Sequence, residues 1–168
     1  MNELYYCPKC GQKLIKKEAR GEGMIDYCES CKEFHFPVFS TAVSLLVLSP
    51  DEKEILLIKQ YHGNRYILVA GYVNKGEDAE NAVLRELKEE TGLQAERFFF
   101  NHSHYFKKSE TLMLNFTVIA KDKNVKTNWE VDSYSWFPLE EAKTKIAENS
   151  LAGDFLSGYI NKEYRFSD

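Results

Sequence analysis

The chain has 168 residues, of which 43% are hydrophobic and 29% charged, a composition typical of a globular protein with one full-sized domain and a small appendage. The formal net charge of −4 gives no footprint for sequence-independent nucleic-acid binding. The same charge would repel a polyanionic substrate unless metal ions intervened. The longest apolar run, YILVAGYV at 66–73, is too short to cross a bilayer, so no membrane association is predicted.

All four cysteines lie within the first 31 residues, in two CxxC pairs separated by 17 residues. The opening MNELYYCPKC shows no basic-then-apolar leader, which favours a cytoplasmic location, where thiols stay reduced. Two such pairs suit a tetrahedral zinc site, since each pair turns both sulfurs toward one ion. The alternatives are disulfides, unrelated thiols or a catalytic zinc, but four cysteines leave no open position for catalysis. The predicted zinc ligands are Cys7, Cys10, Cys28 and Cys31.

A zinc ribbon is predicted over 1–36, with a hairpin at 13–27 that has Gly21 and Gly23 at its tip. Strands are predicted at 41–49, 54–59, 66–70, 97–106, 111–120 and 129–137. Helices are predicted at 78–91, with Gly92 as its C-cap, from Pro138 onward, and at 150–161. Strands grouped around few helices indicate an α+β domain over 38–168.

The helix at 78–91 carries three glutamates in little more than one turn: Glu86, Glu89 and Glu90. Placed at about 100° per residue, its apolar positions define one buried face. Glu86 and Glu90 fall inside or beside that face and Glu89 borders it, whereas a solvated charge run would lie on the opposite side. Because an unpaired buried charge is destabilising, a positive partner is predicted. Clustered carboxylates without His or Cys suit Mg²⁺ or Mn²⁺.

The stretch GYVNKGEDAENAVLRELKEETGL, residues 71–93, resembles the Nudix box, G-x5-E-x7-R-E-U-x-E-E-x-G-U with U aliphatic, at every fixed position. On these residues the chain is identified as a member of the Nudix hydrolase family. The resemblance implies a Nudix α/β/α sandwich with a mixed β-sheet. A zinc ribbon in front of such a domain is similar to the arrangement in NADH pyrophosphatases.

The resemblance also implies roles for individual residues. Glu86, Glu89 and Glu90 would bind Mg²⁺ or Mn²⁺, and one of them would also activate water. Arg85 would orient these carboxylates, and Glu77 would support the junction between loop and helix. Further metal ligands would be the main-chain carbonyl of Ala70 or Gly71 and, by a looser alignment, the carboxylate of Glu130.

The implied activity is hydrolysis of a diphosphate linkage in a nucleoside diphosphate derivative, such as an NAD(H)-like dinucleotide or ADP-ribose. The alternative is a zinc ribbon–Nudix module that binds nucleotide or RNA without turnover. The implied partner is a small-molecule substrate, with nucleic acid only as capped RNA. Relatives are often dimers, so a homodimer is a candidate assembly.

NADH pyrophosphatases carry the motif SQPWPFPxS after the box, and this chain reads SHYFKKSET at 103–111 instead. A serine and an aromatic residue are all that remain of it, so no strong preference for NADH is expected. Tyr105 and Phe106 are candidates for stacking on a base, although an aromatic residue in a strand is usually core. Tyr61, His62 and Arg65 precede the third strand of the domain and are candidates for lining the substrate cleft.

Overall fold

The computed structural model describes residues 5–167. It divides into two compact units, one ending at Phe39 and the other beginning at Ser40. Among the helices of the described residues, none is both long and apolar enough to span a membrane.

The first unit is a small antiparallel sheet of three strands. These are β1 (Ile15–Ala19), β2 (Gly23–Cys28) and β3 (Glu33–His35), in the order β1-β2-β3. Gly21 and Gly23 have φ angles of +79° and +76°, a conformation that glycine adopts without strain, and they close the predicted hairpin. The sequence does not predict β3, because three residues are too few to show an alternating pattern.

The second unit is built on a six-stranded sheet. Its strands are β4 (Ser40–Leu48), β5 (Glu54–Gln60), β6 (Val69–Tyr72), β7 (Ala95–Phe106), β8 (Thr111–Ala120) and β9 (Val131–Pro138). Five of them run in the order β7-β8-β4-β5-β9, and β6 pairs with β4. The pairing of β4 with β8 is parallel and the other pairings are antiparallel. The sheet is therefore mixed, as predicted.

Helices cover both faces of this sheet. They are α1 (Ala79–Thr91), α2 (Leu139–Lys145) and α3 (Leu151–Asn161). Along β4 the buried side chains alternate, so that Val43 and Leu45 pack with α1 while Leu46 and Leu48 pack with α2 and α3. The resulting α/β/α sandwich confirms the predicted fold class, and α1, with its glutamates, forms one outer layer alone.

Of the six predicted strands, only the one at 111–120 has the observed bounds, and the others differ by one to three residues at an end. The strand predicted at 66–70 is β6, Val69–Tyr72, which runs through Gly71 rather than ending there. The strand predicted from Trp129 starts only at Val131, and Trp129 lies in the preceding loop with 83% of its surface exposed. In both cases the local sequence pattern does not show where strand pairing begins.

Candidate active site

Helix α1 carries most of the predicted site residues. It packs on the sheet through Ala82, Val83 and Leu87, all fully buried. Gly92 ends it in a left-handed conformation, φ +69°, and the Gly92 N–H donates to the carbonyl of Lys88. Packing and cap together fix the rotation of the helix and therefore the direction of its glutamates.

Arg85 makes most of the hydrogen bonds at the loop–helix junction. Its Nε and Nη2 donate to the two carboxylate oxygens of Glu77 at 2.8 and 2.9 Å. Nη1 donates to Glu86 Oε1 at 2.6 Å and to Glu89 Oε2 at 3.2 Å, and Nη2 also reaches the carbonyl of Tyr72 at 2.9 Å. One planar guanidinium thus orients three carboxylates and ties the helix to the end of β6.

Glu77 is held as an ion by this junction. The bidentate hydrogen bonds from Arg85, with a further one from the Asn74 N–H at 2.9 Å, lower the pKa of Glu77 to about 2. Glu77 therefore stays charged at any physiological pH and anchors Arg85 rather than exchanging protons.

Glu86 lies against the backbone of β6. It is 8% exposed, and a Cβ added at Gly71 would stand only 2.0 Å from the Glu86 carboxyl carbon. Gly71 is thus required for close approach, not for an unusual backbone angle. Burial raises the pKa of Glu86, while the hydrogen bond and charge of Arg85 oppose that rise.

Glu90 is the most buried carboxylate of the site, with 3% of its surface exposed. Its Oε1 accepts a hydrogen bond from Gln60 Nε2 at 2.9 Å, but its Oε2 is buried with no hydrogen-bond partner in the described residues. Burial raises its pKa to about 8, helped by the charges of Glu86 and Glu130. A buried carboxylate oxygen with no hydrogen-bond partner among the described residues is suited to bind a cation.

Glu89 and Glu130 occupy the more open side of the cluster. The Glu89 side chain is 55% exposed and is reached by Arg85 alone among the basic groups of the described residues. Glu130 precedes β9, and its backbone N–H donates to Asn128 Oδ1 at 2.9 Å. The charge of Glu130 contributes to the raised pKa values of Glu86 and Glu90. The structure therefore brings Glu130 within electrostatic reach of the helix glutamates.

The predicted backbone ligands lie beside the cluster. Ala70 and Gly71 pair with Ser44 and Val43 across β6 and β4. Since the Glu86 carboxylate fills the space over Gly71, this strand forms the floor of the site.

The predicted substrate residues are distributed over two faces of the sheet. Phe106 and Arg65 line a cavity of about 280 Å³ together with Leu151 of α3, on the face opposite α1. Tyr105 neighbours Phe106 in β7 and so points to the face of α1. The structure does not bring Phe106 and Arg65 together with the carboxylates.

The donor chemistry of these carboxylates suits a hard divalent cation, although among the described residues only the four cysteines bring three or more ligand atoms within 4.8 Å of one another. Glu86, Glu89, Glu90 and Glu130 are oxygen donors, the Glu90 Oε2 atom has no hydrogen-bond partner within residues 5–167, and neither His nor Cys lies among them. Mg²⁺ and Mn²⁺ prefer such donors and leave coordination positions for phosphate oxygens.

The four cysteines of the first unit converge on one point. Their sulfurs all lie within 4.8 Å of one another, with Cys10 and Cys28 at 3.5 Å and Cys7 and Cys31 at 4.0 Å. A tetrahedral zinc with Zn–S bonds of about 2.3 Å requires sulfur separations of roughly 3.8 Å. The cluster is therefore compatible with a zinc ribbon.

Sequence reasoning missed Gln60 as a site residue. Gln60 ends β5 and is 30 positions from its hydrogen-bond partner, Glu90. No local pattern connects two such residues, and only the pairing of strands around β4 brings them together.

Comparison with known proteins agrees with this geometry. The model of the family described as NUDIX domain matches residues 38–156, more than half of the chain. The chain therefore belongs to the Nudix family, as the box at 71–93 predicted. The helix that carries the glutamates, packed on a mixed sheet, agrees with this class of protein.

Two curated relatives show what the chain is similar to. The NAD-capped RNA hydrolase NudC of Stutzerimonas stutzeri is 28% identical over 92% of this chain and 55% of its own length. Nudix hydrolase 19, chloroplastic, of Arabidopsis thaliana is 30% identical over 87% of this chain and 35% of its own. The chain spans about half the length of the NudC relatives that it matches.

Solved structures show the same fold. A NUDIX hydrolase from Nitrosomonas europaea superimposes with a TM-score of 0.64 and 17% identity over 98% of this chain and 97% of that chain. The NUDIX domain of Shewanella oneidensis NrtR, complexed with ADP ribose, superimposes with a TM-score of 0.63 and 15% identity, over 81% of this chain and 93% of that chain.

Proposed function

We propose that the chain is a Mg²⁺- or Mn²⁺-dependent pyrophosphohydrolase that cleaves the diphosphate linkage of a nucleoside diphosphate derivative. The observation that carries the proposal is the Glu90 Oε2 atom, which is buried and has no hydrogen-bond partner among residues 5–167, beside three further carboxylates. A catalytically retired site would have no need to bury that group.

In this proposal each residue of the carboxylate site has a defined role. Glu86, Glu89, Glu90 and Glu130 hold the cation, with a carbonyl of Ala70 or Gly71. When bound, the cation supplies the positive charge that draws a diphosphate to an acidic protein and offsets charge that develops during hydrolysis. Arg85, fixed by Glu77, sets the direction of Glu86 and Glu89. A glutamate of the cluster accepts the proton of the attacking water.

Names of relatives support a dinucleotide-like substrate. Several are called NAD-capped RNA hydrolase, which makes NAD(H)-like dinucleotides, ADP-ribose and capped RNA the first candidates. We further propose that residues 1–36 form a structural zinc ribbon held by its four cysteines and 38–168 the hydrolase domain. A cytoplasmic location and a homodimer complete the proposal.

The test is a substrate screen with Mg²⁺ or Mn²⁺, covering NADH, NAD⁺, ADP-ribose, FAD, dinucleoside polyphosphates and capped RNA. We expect hydrolysis of at least one compound, abolished by EDTA and restored by added Mg²⁺. Tight binding of these compounds without turnover under any metal would overturn the hydrolase and favour the module that binds nucleotide or RNA.

A further inference from the structure

Two large aromatic side chains stand exposed next to each other near the carboxylates. Tyr61 is 65% exposed and Trp129 is 83% exposed. Their ring centroids are 6.5 Å apart at an interplanar angle of 68°. Single exposed apolar residues are common on protein surfaces, but two aromatic rings in contact form a patch that requires an explanation.

The backbone holds this pair in place. Tyr61 and the following His62 have φ angles of +52° and +59°, a left-handed conformation that is destabilising for residues with side chains. The Tyr61 N–H donates to the carbonyl of Glu130 at 3.3 Å, and the His62 N–H donates to the carboxylate of Asp132. The loop after β5 is thus fastened to the segment that carries Trp129.

The same segments carry residues of the carboxylate cluster. Gln60, directly before Tyr61, donates to Glu90, and Trp129 directly precedes Glu130. The aromatic pair therefore adjoins the cluster through both of its segments, and the ring centroids of the pair lie 6.5 Å apart.

We propose that Tyr61 and Trp129 form an aromatic wall that stacks on the heterocyclic ring of the substrate while its phosphates lie over the carboxylates. This inference deepens the proposed function and rests on it. The angle and spacing of the two rings leave no parallel slot between them, so the ligand ring stacks on the open face of Trp129 and Tyr61 supports the indole. Every nucleobase and a nicotinamide ring has a face for such stacking.

The aromatic wall would distinguish ligands that differ only in their base, which phosphate binding cannot do. A ligand with an aromatic base gains from stacking, whereas the same ligand without its base does not. AMP and ribose 5-phosphate form such a matched pair, and neither contains the diphosphate that the site would cleave. Binding of both can therefore be measured with Mg²⁺ present and without turnover.

The first measurement uses tryptophan emission. The chain has two tryptophans, Trp129 in the wall and the partly buried Trp136. We expect AMP with Mg²⁺ to quench emission, ribose 5-phosphate to leave it unchanged, and Trp129→Phe to lose the quenching while the Trp136 signal remains.

The second measurement is calorimetric. We expect Trp129→Ala to weaken AMP binding between roughly fivefold and a hundredfold, the range that stacking on an aromatic side chain supplies. Trp129→Phe should recover most of that loss, and Tyr61→Ala should show a smaller one. Phe99→Ala removes a ring that is 49% exposed on β7, at the other edge of the sheet, and should leave binding unchanged.

The outcomes separate this inference from the proposed function. Absence of AMP binding, or equal AMP affinity in Trp129→Ala and the unchanged chain, overturns the wall, even where the metal-dependent hydrolysis is found. If AMP quenches the emission of Trp129 but no compound in the screen is hydrolysed, the aromatic wall is supported and the proposed hydrolase activity is overturned.

Discussion

At the scale of single residues, Glu90 combines burial, a raised pKa and an oxygen that no described residue hydrogen-bonds. It is 3% exposed, and its pKa of about 8 means that without a cation it keeps its proton at neutral pH. Glu77, in the same motif, has a pKa of about 2 because Arg85 binds it. Glu77 is thus permanently charged and anchors Arg85, whereas Glu90 becomes charged at neutral pH only with a positive partner.

Glu90→Gln tests the role of that oxygen. The amide keeps the size of the side chain and an acceptor for Gln60 but removes the charge. We expect kcat/KM for ADP-ribose with Mg²⁺ to fall by roughly two orders of magnitude or more, as when a pre-organised electrostatic group is lost. Glu80→Gln, exposed in the first turn of α1, is the control and should change little. Near-normal turnover in folded Glu90→Gln would contradict the prediction.

The pKa of Glu90 also predicts how stability depends on pH without metal. Its folded-state value of about 8 lies above the usual 4.5, so its contribution is complete below pH 4.5 and disappears as pH rises through 8. Without added Mg²⁺ or Mn²⁺, urea denaturation should show the free energy of unfolding falling between about pH 5 and 8, by on the order of a few kcal/mol. Glu90→Gln should flatten this slope, and an unchanged slope would refute the assignment.

At the scale of elements, the junction between β6 and α1 depends on one side chain. Arg85 connects Glu77 before the helix, Glu86 and Glu89 within it, and the Tyr72 carbonyl at the end of β6. A lysine keeps the charge but cannot present several donors in one plane.

Arg85→Lys should therefore lower both stability and activity. We expect the free energy of unfolding to fall by about 1–3 kcal/mol, since buried carboxylate oxygens lose hydrogen bonds, and kcat/KM to fall at least tenfold. Chemical denaturation and steady-state kinetics measure the two effects. Arg97→Lys, which changes an exposed pair with Glu52, should cost little. Identical behaviour of the two variants would show that the fork geometry at Arg85 is unimportant.

Elements with a strong local signal were predictable from the sequence. The period of apolar residues gave α1 and the burial of Glu86 and Glu90, and the box gave the family. The position of β6 was not predictable, because the apolar run at 66–73 does not reveal which residues pair with β4. The contact between Gln60 and Glu90 and the meeting of Tyr61 with Trp129 depend on long-range strand pairing, which leaves no trace in local sequence.

At the scale of the whole molecule, the first unit depends on its cysteines. Its buried cluster contains Cys7, Leu14 and Cys28, with Cys31 packed against it, which is very little apolar surface for a folded unit. A bound metal would supply most of the missing stabilisation.

We expect the purified protein to contain about one zinc per chain, bound by the four cysteines. Elemental analysis measures this directly, and Cys28→Ser should reduce the zinc content sharply. Protein without zinc, in which mass spectrometry finds disulfides, would disprove the zinc ribbon.

Substrate preference is a property of the whole molecule, and the segment after the Nudix box predicts one aspect of it. The segment 103–111 lacks the prolines and tryptophan of SQPWPFPxS, so NADH should not exceed the other diphosphate compounds by a hundredfold or more in kcat/KM. A screen in which NADH shows such an advantage would restore the NADH pyrophosphatase assignment.

A carboxyl group that keeps its proton at neutral pH must release that proton when a cation takes its place. Glu90, with a pKa of about 8, would then couple metal uptake to proton release, and Mg²⁺ and H⁺ would compete for the same oxygen. Apparent affinity for the metal would rise with pH until Glu90 is ionised in the free protein. The acidity of the medium would thus set how much of the protein is loaded at a given Mg²⁺ concentration.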